Sequence, residues 1–317
     1  VLQYLDDDGL SVEPIYYVPI IPMVLVNGAL GIGTGFATNI PCYDPKCIIY
    51  NIKQKIQDHG TLMDLVPYYR GFKGSITSHG THKYVTHGRY AVKNDTTLVI
   101  EELPIGLWNE TYLTYLEKCV ETKKRGLKDY KDLSTDKDIY MELIFSSSVD
   151  LNDDKTLDKI IDDFKLSTSL STGNMYLFDK DEALVKYESA NAIIDDFVET
   201  RLMYYEKRKA KQIEDMERML VLYSNKYTFV MELLNDTLDL RKKKSNEIET
   251  ILTEKNYDKI ENNYHYLIKM PMDMVNEENV EKLKHEFDST KQSLEELKNT
   301  TTVSMYYKEL CELEEAI

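Results

Sequence analysis

The sequence predicts an α+β protein in which a mixed domain of strands and helices precedes a long antiparallel coiled coil with a small helical globular tip. Up to about Tyr187, runs of β-branched and aromatic residues alternate with segments of helical periodicity. After that residue, apolar side chains recur at alternating steps of three and four, which is the spacing of a heptad seam. Asn235-Asp236 and Pro271 interrupt this seam, so we expect the chain to turn and form two arms joined by a tip.

The composition indicates a protein that folds in water inside the cell. The chain has 317 residues, enough for about two domains, and 42% of them are apolar, enough for a substantial core. The apolar run from Val18 to Val26 is broken by two prolines and is far shorter than the ~20 residues of a membrane helix. The four cysteines form no C-x-x-C pair, which indicates reduced thiols. We expect an intracellular protein with no membrane partner, and the start without methionine reads as the interior of a longer chain.

Residues 1–42 form an apolar, proline- and glycine-rich segment that contains NGALGIGTGFATNIP, from Asn27 to Pro41. Four glycines lie within eight positions, Gly28 to Gly35, and a backbone this bare lets N–H groups approach an anion closely. Neither the dinucleotide pattern G-x-G-x-x-G nor the P-loop pattern fits, so we expect no mononucleotide site. A tight turn that permits close packing remains the alternative.

Residues 43–187 have the pattern of the mixed domain. Asp44 and Pro45 supply an N-cap followed by proline at the first helical position, and isoleucines four residues apart continue a helix to about Asp58. The remaining segments predict strands with helices between them. The predicted strands are KYVTHGRYAV and TTLVIEEL on either side of Asn94-Asp95, YMELIFSS at Tyr140 to Ser147, and NMYLFD at Asn174 to Asp179.

A basic segment lies within an otherwise acidic chain. The net charge is −16, yet between Phe36 and Ile100 eight basic residues stand against four acidic ones, an excess of +4. Such a basic segment fits a surface that faces DNA. The alternative is a solvent-exposed surface whose excess of basic over acidic residues arose by chance. His79 and His82 are spaced like metal ligands, but nothing at a useful spacing completes the set, so we expect no metal site. The basic residues are Lys46, Lys53, Lys55, Arg70, Lys73, Lys83, Arg89 and Lys93, and the histidines are His59, His79, His82 and His87.

Residues 188–317 are predicted to form the two arms and the tip. The outgoing arm, 188–235, would be roughly 65 Å long at 1.5 Å per residue. The tip covers 236–275, and the returning arm, 276–317, begins where Asn276 precedes two glutamates at the positive end of a helix dipole. The seam residues are Ile213, Met216, Leu220, Tyr223, Tyr227, Val230 and Leu234 in the first arm and Val280, Leu283, Phe287, Thr290, Leu294 and Leu297 in the second.

Six longer motifs are spread along nearly the whole chain: EPIYYVPIIPMVLVNGALGIGTGFATNIPCYDP, YYRGFKGSI, IEELPIGLW, FKLSTSLSTGNMYLFD, FVETRLMYYEKRK and LEELKNTTTVSMYYKEL. In this order they resemble the type IIA DNA topoisomerases in their eukaryotic form. The chain departs from that family at Phe36, where the family usually has tryptophan, and at Gly106, where it usually has arginine. Near the end of this segment the family has Trp-Lys-Glu, and this chain has Tyr307 in place of the tryptophan. The composition, rich in Asn, Lys and Tyr, suits a large cytoplasmic DNA virus. We therefore expect the host cytoplasm for a viral enzyme and the nucleus for a cellular one.

The resemblance implies that the glycine-rich segment binds double-stranded DNA. It implies that Ile40, in the Ile-Pro pair, inserts between base pairs of the gate DNA and helps to bend it. A stiff β-branched side chain held by Pro41 suits such a wedge. For Trp108, a place in a hydrophobic core is the alternative. The further DNA contacts expected are Thr34, Thr38, Asn39, Pro41, Lys73 and Trp108.

The resemblance also implies an activity for the complete protein, an ATP-dependent topoisomerase that breaks both strands transiently and passes a second duplex. The nucleophilic tyrosine, the Mg²⁺-binding acidic cluster and the ATPase domain would all precede this segment. Tyr4, Tyr16 and Tyr17 do not match the nucleophile, and Asp6 to Asp8 match a loop. We therefore expect no catalytic residue and no cofactor in this chain, which should be inactive alone, with Mg²⁺ and ATP used by the complete enzyme. A non-enzymatic coiled-coil adaptor or architectural DNA-binding protein is the alternative.

By the same resemblance, residues 1–42 end a winged-helix DNA-binding region, residues 43–187 form a tower-like domain, and residues 236–275 form an exit gate. We expect a homodimer held through the tip, because so short a segment has too little core to bury all of its apolar side chains. A monomer whose tip packs against its own arms is the alternative. The expected interface residues are Leu238, Leu240, Ile248, Ile251, Leu252, Tyr257, Ile260, Tyr264 and Leu267.

Overall fold

The computed structural model describes residues 1–58, 60 and 62–317, so His59 of the basic segment lies outside the described residues. The chain divides into two compact units, each discontinuous in sequence. The sheet unit comprises Pro19–Thr200 and Leu313–Ile317, and the arm unit comprises Val1–Val18 and Arg201–Glu312. Short strands dominate the first unit and long helices the second, which confirms the predicted α+β class.

Most of the described chain lies in short strands and in helices of very different lengths. The helices are α1 (Met23–Asn27), α2 (Pro45–Ile56), α3 (Asn109–Glu121), α4 (Asp154–Asp163), α5 (Ala190–Leu234), α6 (Ser245–Glu254), α7 (His265–Ile268), α8 (Glu277–Asn299) and α9 (Thr302–Ala316), with 3₁₀ turns at Lys124–Gly126 and Met272–Met274. The strands are β1 (Tyr4–Asp7), β2 (Leu10–Pro14), β3 (Ala29–Ile32), β4 (Ala37–Ile40), β5 (Ser75–Ser78), β6 (Lys83–His87), β7 (Arg89–Asn94), β8 (Thr97–Glu102), β9 (Leu127–Asp132), β10 (Met141–Phe145), β11 (Ser167–Ser171), β12 (Met175–Phe178) and β13 (Leu184–Tyr187).

The core of the sheet unit is formed by a four-stranded antiparallel sheet and two helices. The strand order is β7-β8-β10-β9, so β8 and β10 are central. Leu98 and Ile100 of β8 and Leu143 of β10 are fully buried. Tyr112 of α3 is fully buried as well, and its hydroxyl donates to Phe164 O at 2.9 Å. This hydrogen bond satisfies the buried hydroxyl and joins α3 to the end of α4.

Gly88 divides the predicted run KYVTHGRYAV between two sheets. β6 before it belongs to a three-stranded antiparallel sheet of order β11-β6-β5, while β7 after it is an edge of the four-stranded sheet. The Gly88 N–H donates to Leu166 O at 2.9 Å, and a Cβ at this position would come within 2.4 Å of Glu102 O. Only glycine permits the backbone at this position to approach the backbone of Glu102 so closely. The chain can therefore cross from one sheet to the other at Gly88.

The predicted helix cap after the glycine-rich segment is present. Asp44 Oδ1 accepts from the Lys46 N–H at 2.9 Å, and Pro45 occupies the first helical position of α2. The helix ends at Ile56, two residues before the predicted end at Asp58.

One buried amide fixes α2 in the sheet unit. Asn51 is fully buried, and its Nδ2 donates to Met63 O at 2.8 Å and to Asn191 Oδ1 at 2.9 Å. Its Oδ1 accepts from the Met63 N–H at 3.0 Å. The side chain is therefore well satisfied, and it links α2 to the loop that follows and to the first turn of α5.

Gly28 leads from α1 into the hairpin of β3 and β4. It has φ 69° and ψ 171°, a region almost restricted to glycine. A Cβ there would lie 2.8 Å from Ile40 O and 3.1 Å from Cys42 Sγ. The Tyr43 N–H donates to Leu25 O at 2.7 Å, so the chain leaves the hairpin beside the helix from which it entered.

β1 and β2 form a hairpin at the start of the arm unit. Asp8 (φ 51°) and Gly9 (φ 83°) make its turn, and Asp6 Oδ1 accepts from the Gly9 N–H at 2.7 Å. The expectation that Asp6 to Asp8 lie in a loop is therefore wrong for Asp6 and Asp7, which lie in β1. The Asp-Gly pair is typical of tight hairpin turns, because both residues accept positive φ.

α5 is one unbroken helix of 45 residues, the predicted outgoing arm. Its seam residues from Ile213 to Val230 are half-buried or buried. Leu234 is 39% exposed, whereas Leu233 packs against the tip. The predicted seam is therefore confirmed up to Val230. At the end of the helix, Leu233 takes the inward position that was predicted for Leu234.

α8 returns antiparallel to α5, with Asn276 as its N-cap as predicted. Near the start of α8, Leu283 lines a cavity together with Tyr223 of α5. Near its end, Lys298 Nζ lies 2.7 Å from Glu217 Oε1, on an earlier turn of α5. The two seams therefore meet within one chain.

The returning arm is two helices and not one. α8 ends at Asn299 and α9 begins at Thr302, in a run of threonines that are weak helix formers. Lys209 Nζ donates to Lys298 O at 3.0 Å and to Thr300 O at 2.6 Å. The lysine thus satisfies carbonyls that the end of α8 leaves without helical partners.

A charged cluster ties α9 to α5 within the arm unit. Glu309 accepts hydrogen bonds from Arg208, from the Tyr205 hydroxyl, and from Arg201 at 3.4 Å. Arg201 also donates to Val18 O at 2.5 Å. Burial would raise the pKa of Glu309, but the hydrogen bonds from Arg208 and Tyr205 and the charges of the two arginines outweigh it and lower that pKa.

We predict that Gly28→Ala lowers the free energy of unfolding by about 1–3 kcal/mol, because alanine is strained at this φ and ψ and its Cβ collides with Ile40 O. Gly31→Ala is the matched control within the same hairpin, since its Cβ would meet only Thr38 Cγ2, at 3.6 Å. Urea unfolding followed by circular dichroism measures both. Equal losses in the two variants would contradict the assigned role of Gly28.

We predict that Glu309→Gln destabilises the arm unit by about 1.5–3 kcal/mol at neutral pH, because two arginines lose a charged hydrogen-bond partner. The folded-state pKa is lowered, so this stabilisation is complete above the ordinary glutamate value of 4.5 and is lost as the pH falls through the folded value. The difference between wild type and variant in urea unfolding should therefore shrink at acidic pH.

Glu312→Gln on the same helix is the control for the Glu309 variant. The Glu312 side chain is 63% exposed and 4.0 Å from Lys308 Nζ, so its loss should cost less than about 1 kcal/mol. A wild-type advantage over Glu309→Gln that stays constant down to acidic pH would show that the carboxylate charge does not stabilise the cluster.

Candidate functional site

β3 and β4 form a two-stranded antiparallel hairpin that carries the glycine-rich segment. Ala29 pairs with Ile40, and Ile32 pairs with Ala37. Paired residues of antiparallel strands point to the same face, and neighbours along a strand alternate. Leu30 and Ile32 therefore share one face of the hairpin, and Ile40 lies on the other.

The two faces differ in exposure. Ile32 is 91% exposed and Leu30 is 82% exposed, whereas Ile40 is 2% exposed and Pro41 is also buried. An inserted side chain projects beyond the protein surface, so insertion of Ile40 would require this residue to become exposed when DNA binds. The insertion of Ile40 between base pairs and the DNA contact at Pro41 stay predictions.

β12 holds β4 in place and turns Thr38 towards the protein. The Asn39 N–H donates to Asn174 O at 2.7 Å, and the Tyr176 N–H donates to Thr38 Oγ1 at 3.3 Å. The predicted DNA contact at Thr38 is therefore not supported, because this side chain lies on the inner face. Asn39 is paired with Leu30 and lies on the outer face, as a DNA contact requires.

The turn between β3 and β4 presents bare backbone and one hydroxyl. The Gly33 N–H donates to Phe36 O at 2.9 Å, and Gly35 has φ 95°. Thr34 is exposed between these glycines. Backbone N–H groups and a threonine hydroxyl can donate to phosphate oxygens without reading sequence, so the geometry suits the contact predicted at Thr34.

Trp108 and Lys73 come from other parts of the sheet unit. Trp108 is 78% exposed at the N-cap of α3, so the alternative of a core aromatic is wrong. The Lys73 side chain forms an ion pair with Asp138, a bond that raises the pKa of Lys73, and its N–H donates to Glu102 Oε2 at 3.3 Å. In the described residues, no hydrogen bond or ion pair joins Trp108 or Lys73 to the hairpin.

The basic segment is largely neutralised by carboxylates that the sequence places elsewhere. Five of its eight cations have a carboxylate partner within 4.0 Å, most of them outside the segment. In the described residues, the cations without such a partner are Lys46, Arg70 and Lys83. The excess of +4 counted along the sequence therefore overstates the free positive charge of this surface. The pairs are Lys53 with Glu314, Lys55 with Asp195, Lys73 with Asp138, Arg89 with Glu101, and Lys93 with Glu142.

The described residues contain no grouped metal ligands, and Tyr16 lacks the surroundings of a nucleophile. Among residues 1–58, 60 and 62–317, no three His, Cys, Asp or Glu side chains are grouped to hold a metal ion. The residues described do not fit a Mg²⁺ site, and we assign none. The hydrogen bond with the Tyr204 hydroxyl raises the pKa of Tyr16, which is the opposite of what a phenolate nucleophile needs. In the described chain, no helix combines the length and apolar character needed to cross a bilayer.

The tip and the end of α5 share a hydrophobic core, and the predicted interface stays a prediction. Leu252 and Leu267 are fully buried, and the end of α5 contributes Phe229 and Leu233 to the same core. These arm residues supply the apolar surface that the segment 236–275 lacks by itself. The predicted interface positions that are buried are Leu238, Leu252, Tyr257, Tyr264 and Leu267, and those that are half-buried are Leu240, Ile248, Ile251 and Ile260.

A different set of apolar residues is exposed at the tip. Met272 is 84% exposed, Met274 47% and Ile268 37%, and all three lie in the short segment from α7 to the following 3₁₀ turn. Methionine adapts to irregular partner surfaces because its side chain is flexible and polarisable. This segment is therefore an exposed apolar surface of the tip.

Sequence reasoning did not single out Ile32, Met272 and Met274, which the structure leaves exposed. A signal for Ile32 was present, because it alternates with glycines in a short strand and lies next to the turn. No local signal separates Met272 from the buried leucines, because the arm that buries those leucines is distant in sequence.

The family model for the DNA gyrase/topoisomerase IV A-subunit family matches residues 1–313. DNA topoisomerase 2 of Plasmodium falciparum (isolate K1 / Thailand) is 34% identical over 353 residues, covering 100% of this chain and 25% of that protein. DNA topoisomerase 2 of Invertebrate iridescent virus 6 is 29% identical over 318 residues, covering 96% of this chain and 27% of that protein.

A solved structure gives the same result. The crystal structure of the Plasmodium falciparum topoisomerase II DNA-binding, cleavage and re-ligation domain superimposes with a TM-score of 0.86 at 33% identity, over 99% of this chain and 47% of that one. The chain thus spans about a quarter of the full-length relatives named above. These matches confirm the resemblance drawn from the motifs: the chain belongs to the type IIA DNA topoisomerase family.

Proposed function

We propose that this chain binds and bends the gate duplex of an ATP-dependent type II DNA topoisomerase, which changes DNA topology by transient double-strand breakage and strand passage. The observation that carries the proposal is the match of residues 1–313 to the family, together with the β3–β4 hairpin and its glycine-rich turn, which would meet the DNA. Family membership supports this function over that of a non-enzymatic adaptor.

Ile40, the isoleucine of the Ile-Pro pair, is the wedge that the family resemblance implies, and we propose that DNA binding exposes it. Its β-branched side chain is stiff at χ1, so little conformational freedom is lost when it enters a gap between bases. An apolar wedge partly unstacks one base step and kinks the duplex, at a cost of a few kcal/mol that new contacts offset. The neighbouring glycines keep the hairpin tip narrow enough to approach the groove.

Polar residues around the wedge would position the duplex. Thr34 and Asn39 lie on the turn and on the outer face, where they can donate to phosphates or sugars. Trp108 supplies an exposed aromatic ring, and Lys73 can exchange Asp138 for a phosphate, because exposed ion pairs contribute little net stability. None of these contacts requires a particular base.

The remaining segments would serve the other steps of the cycle. We assign residues 1–42 to the end of a winged-helix region, 43–187 to a tower-like domain, and the arms and tip to the exit gate. Mg²⁺, ATP and the tyrosine nucleophile would belong to the rest of an intracellular enzyme, nuclear in a cell or cytoplasmic in a virus-infected host. The segment alone would then be inactive.

We expect Ile40→Ala in the complete enzyme to reduce bending of the gate duplex and DNA cleavage about 10-fold or more, because an alanine cannot fill the unstacked step. Fluorescence energy transfer across a doubly labelled duplex measures the bend, and the yield of cleaved strands measures the chemistry. Ile40 is 2% exposed, so the variant should also lose about 2–5 kcal/mol of stability, and both measurements are made where circular dichroism shows it to be folded.

Ile32→Ala is the contrast variant for the wedge assignment. The Ile32 side chain is 91% exposed, so its loss should cost little stability and leave the bend angle unaltered. Normal bending by Ile40→Ala together with defective bending by Ile32→Ala would move the wedge to Ile32.

We also propose that the chain forms a homodimer through Ile268, Met272 and Met274 at the tip. These side chains are exposed while the rest of the tip core is closed, so burying them against an identical segment gives a two-fold contact. A contact made by three apolar side chains from each copy suits a gate that must open and close, because it is stable without being permanent.

We predict that Met272→Asp with Met274→Asp weakens self-association of the 317-residue chain at least about 100-fold, since burying each methionine contributes about 1.5–3 kcal/mol. Sedimentation equilibrium over a concentration series measures the dissociation constant. Met219→Asp is the control, because this methionine is 42% exposed on α5 and away from the tip segment. Equal weakening by the control would refute the tip interface.

A further inference from the structure

We propose that a cavity in the arm unit binds a small anion that carries two linked phosphate groups. The cavity has a volume of about 450 Å³ and is lined by residues of α5, α7 and α8 and of the segment that joins α7 to α8. A volume of this order is typical of sites for small molecules. The proposal goes beyond the proposed DNA binding and does not depend on it.

Three lysines line the cavity, and each comes from a different part of the chain. Lys226 lies on α5, Lys269 directly follows α7, and Lys282 lies on α8. In the part of the chain that the structure describes, none of the three has a carboxylate within 4.0 Å. Lys226 is also half-buried. An ammonium group held partly away from water without a counter-ion is unfavourable, so an anion that enters the cavity would stabilise it.

One carboxylate lines the same cavity. Glu286 is half-buried on α8, one turn after Lys282, and it forms no ion pair among the described residues. With His265 counted as neutral, the lining has three positive charges against one negative charge, an excess of +2. The chain as a whole carries −16, but charges farther than about 8 Å are largely screened at physiological salt. The lining itself therefore decides which ions can bind.

This excess of positive charge matches two linked phosphates better than the backbone of DNA. Each phosphate of a DNA strand carries one negative charge and is held in a duplex too wide to enter a cavity of this size. A terminal phosphate carries about 1.5 to 2 negative charges and presents three acceptor oxygens. Two linked phosphates can therefore accept charge-assisted hydrogen bonds from lysines on separate walls. Lysine binds phosphate as a point charge, so these contacts need no fixed angle.

Hydrogen bonds fix the walls of the cavity. Asn279 Nδ2 donates to Met274 O at 2.7 Å, and the Tyr266 hydroxyl donates to Asp258 O at 2.6 Å. Because these walls are already ordered, little conformational freedom is lost when an anion binds. Tyr223 adds an aromatic ring on which the organic part of a ligand can lie. The same site therefore admits free pyrophosphate or the diphosphate end of a larger organic molecule.

Isothermal titration calorimetry of the 317-residue chain with pyrophosphate, ADP and orthophosphate, in buffer free of Mg²⁺, tests the proposal. We expect one ligand per chain and a dissociation constant for pyrophosphate at least about 10-fold below that for orthophosphate, because a diphosphate reaches more than one lysine. Tighter binding of ADP than of pyrophosphate would identify an organic diphosphate as the ligand, and equal or weaker binding of ADP would identify the free ion. If neither pyrophosphate nor ADP binds more tightly than orthophosphate, the proposal is wrong.

Substitutions assign the binding to this cavity. Lys226→Gln and Lys282→Gln should each weaken binding of the tighter ligand about 10-fold, the order of one charge-assisted hydrogen bond. Glu286→Gln removes the opposing charge and should strengthen binding about 3-fold, a change of sign that a general loss of structure would not produce. Lys291→Gln is the matched control, because Lys291 lies on the same helix outside the lining.

Three results would overturn the assignment to the cavity. One is unchanged binding in both Lys226→Gln and Lys282→Gln, and another is equal weakening by Lys291→Gln. The third is displacement of the bound diphosphate by a short DNA duplex at the same phosphate concentration, which would show that these lysines form a surface for DNA.

Discussion

The pairing of Ala29 with Ile40 determines which side chains of the glycine-rich segment are exposed. A shift of the β3–β4 register by one residue would exchange the two faces and turn Ile32 towards the protein. Two features hold this register: Gly28, whose backbone conformation only glycine tolerates, and the hydrogen bond from the Asn39 N–H to Asn174 O. The exposure of Leu30 and Ile32 and the burial of Ile40 depend on this one alignment.

The charges of the sheet unit are arranged differently from a simple basic patch. Most cations of the basic segment already have carboxylate partners, such as Glu314 for Lys53 and Asp195 for Lys55. Exposed pairs of this kind contribute little net stability and are screened by salt, so a phosphate can replace the carboxylate at modest cost. A chain with a net charge of −16 would then bind DNA by local exchange of partners and by shape, with little long-range attraction.

In the arm unit, the residues that stabilise the fold of the tip differ from those left exposed for association. The core of the tip is completed by Phe229 and Leu233 from α5, so the tip is folded by its own arm and does not need a partner for that purpose. The apolar side chains left outside, Met272 above all, are then available for contacts that form and break. The cluster around Glu309 holds α9 to α5 with charged hydrogen bonds, which are directional and keep the two helices in one alignment.

The sequence by itself determined the features that depend on neighbours in the chain. The cap at Asp44, the unbroken arm from Ala190 to Leu234, the N-terminus of α8 at Asn276 and the family all followed from short patterns, because caps, periodicity and motifs are local. Only the tertiary structure decided which isoleucine is exposed, which lysines keep a free charge and which tip residues face outwards. Ile32 and Ile40 have the same residue type and lie eight positions apart, so their opposite faces arise from strand pairing alone. Likewise, the partner of Lys53 is 261 residues away and Phe229 lies outside the tip segment, and no local pattern contains contacts made at such separations.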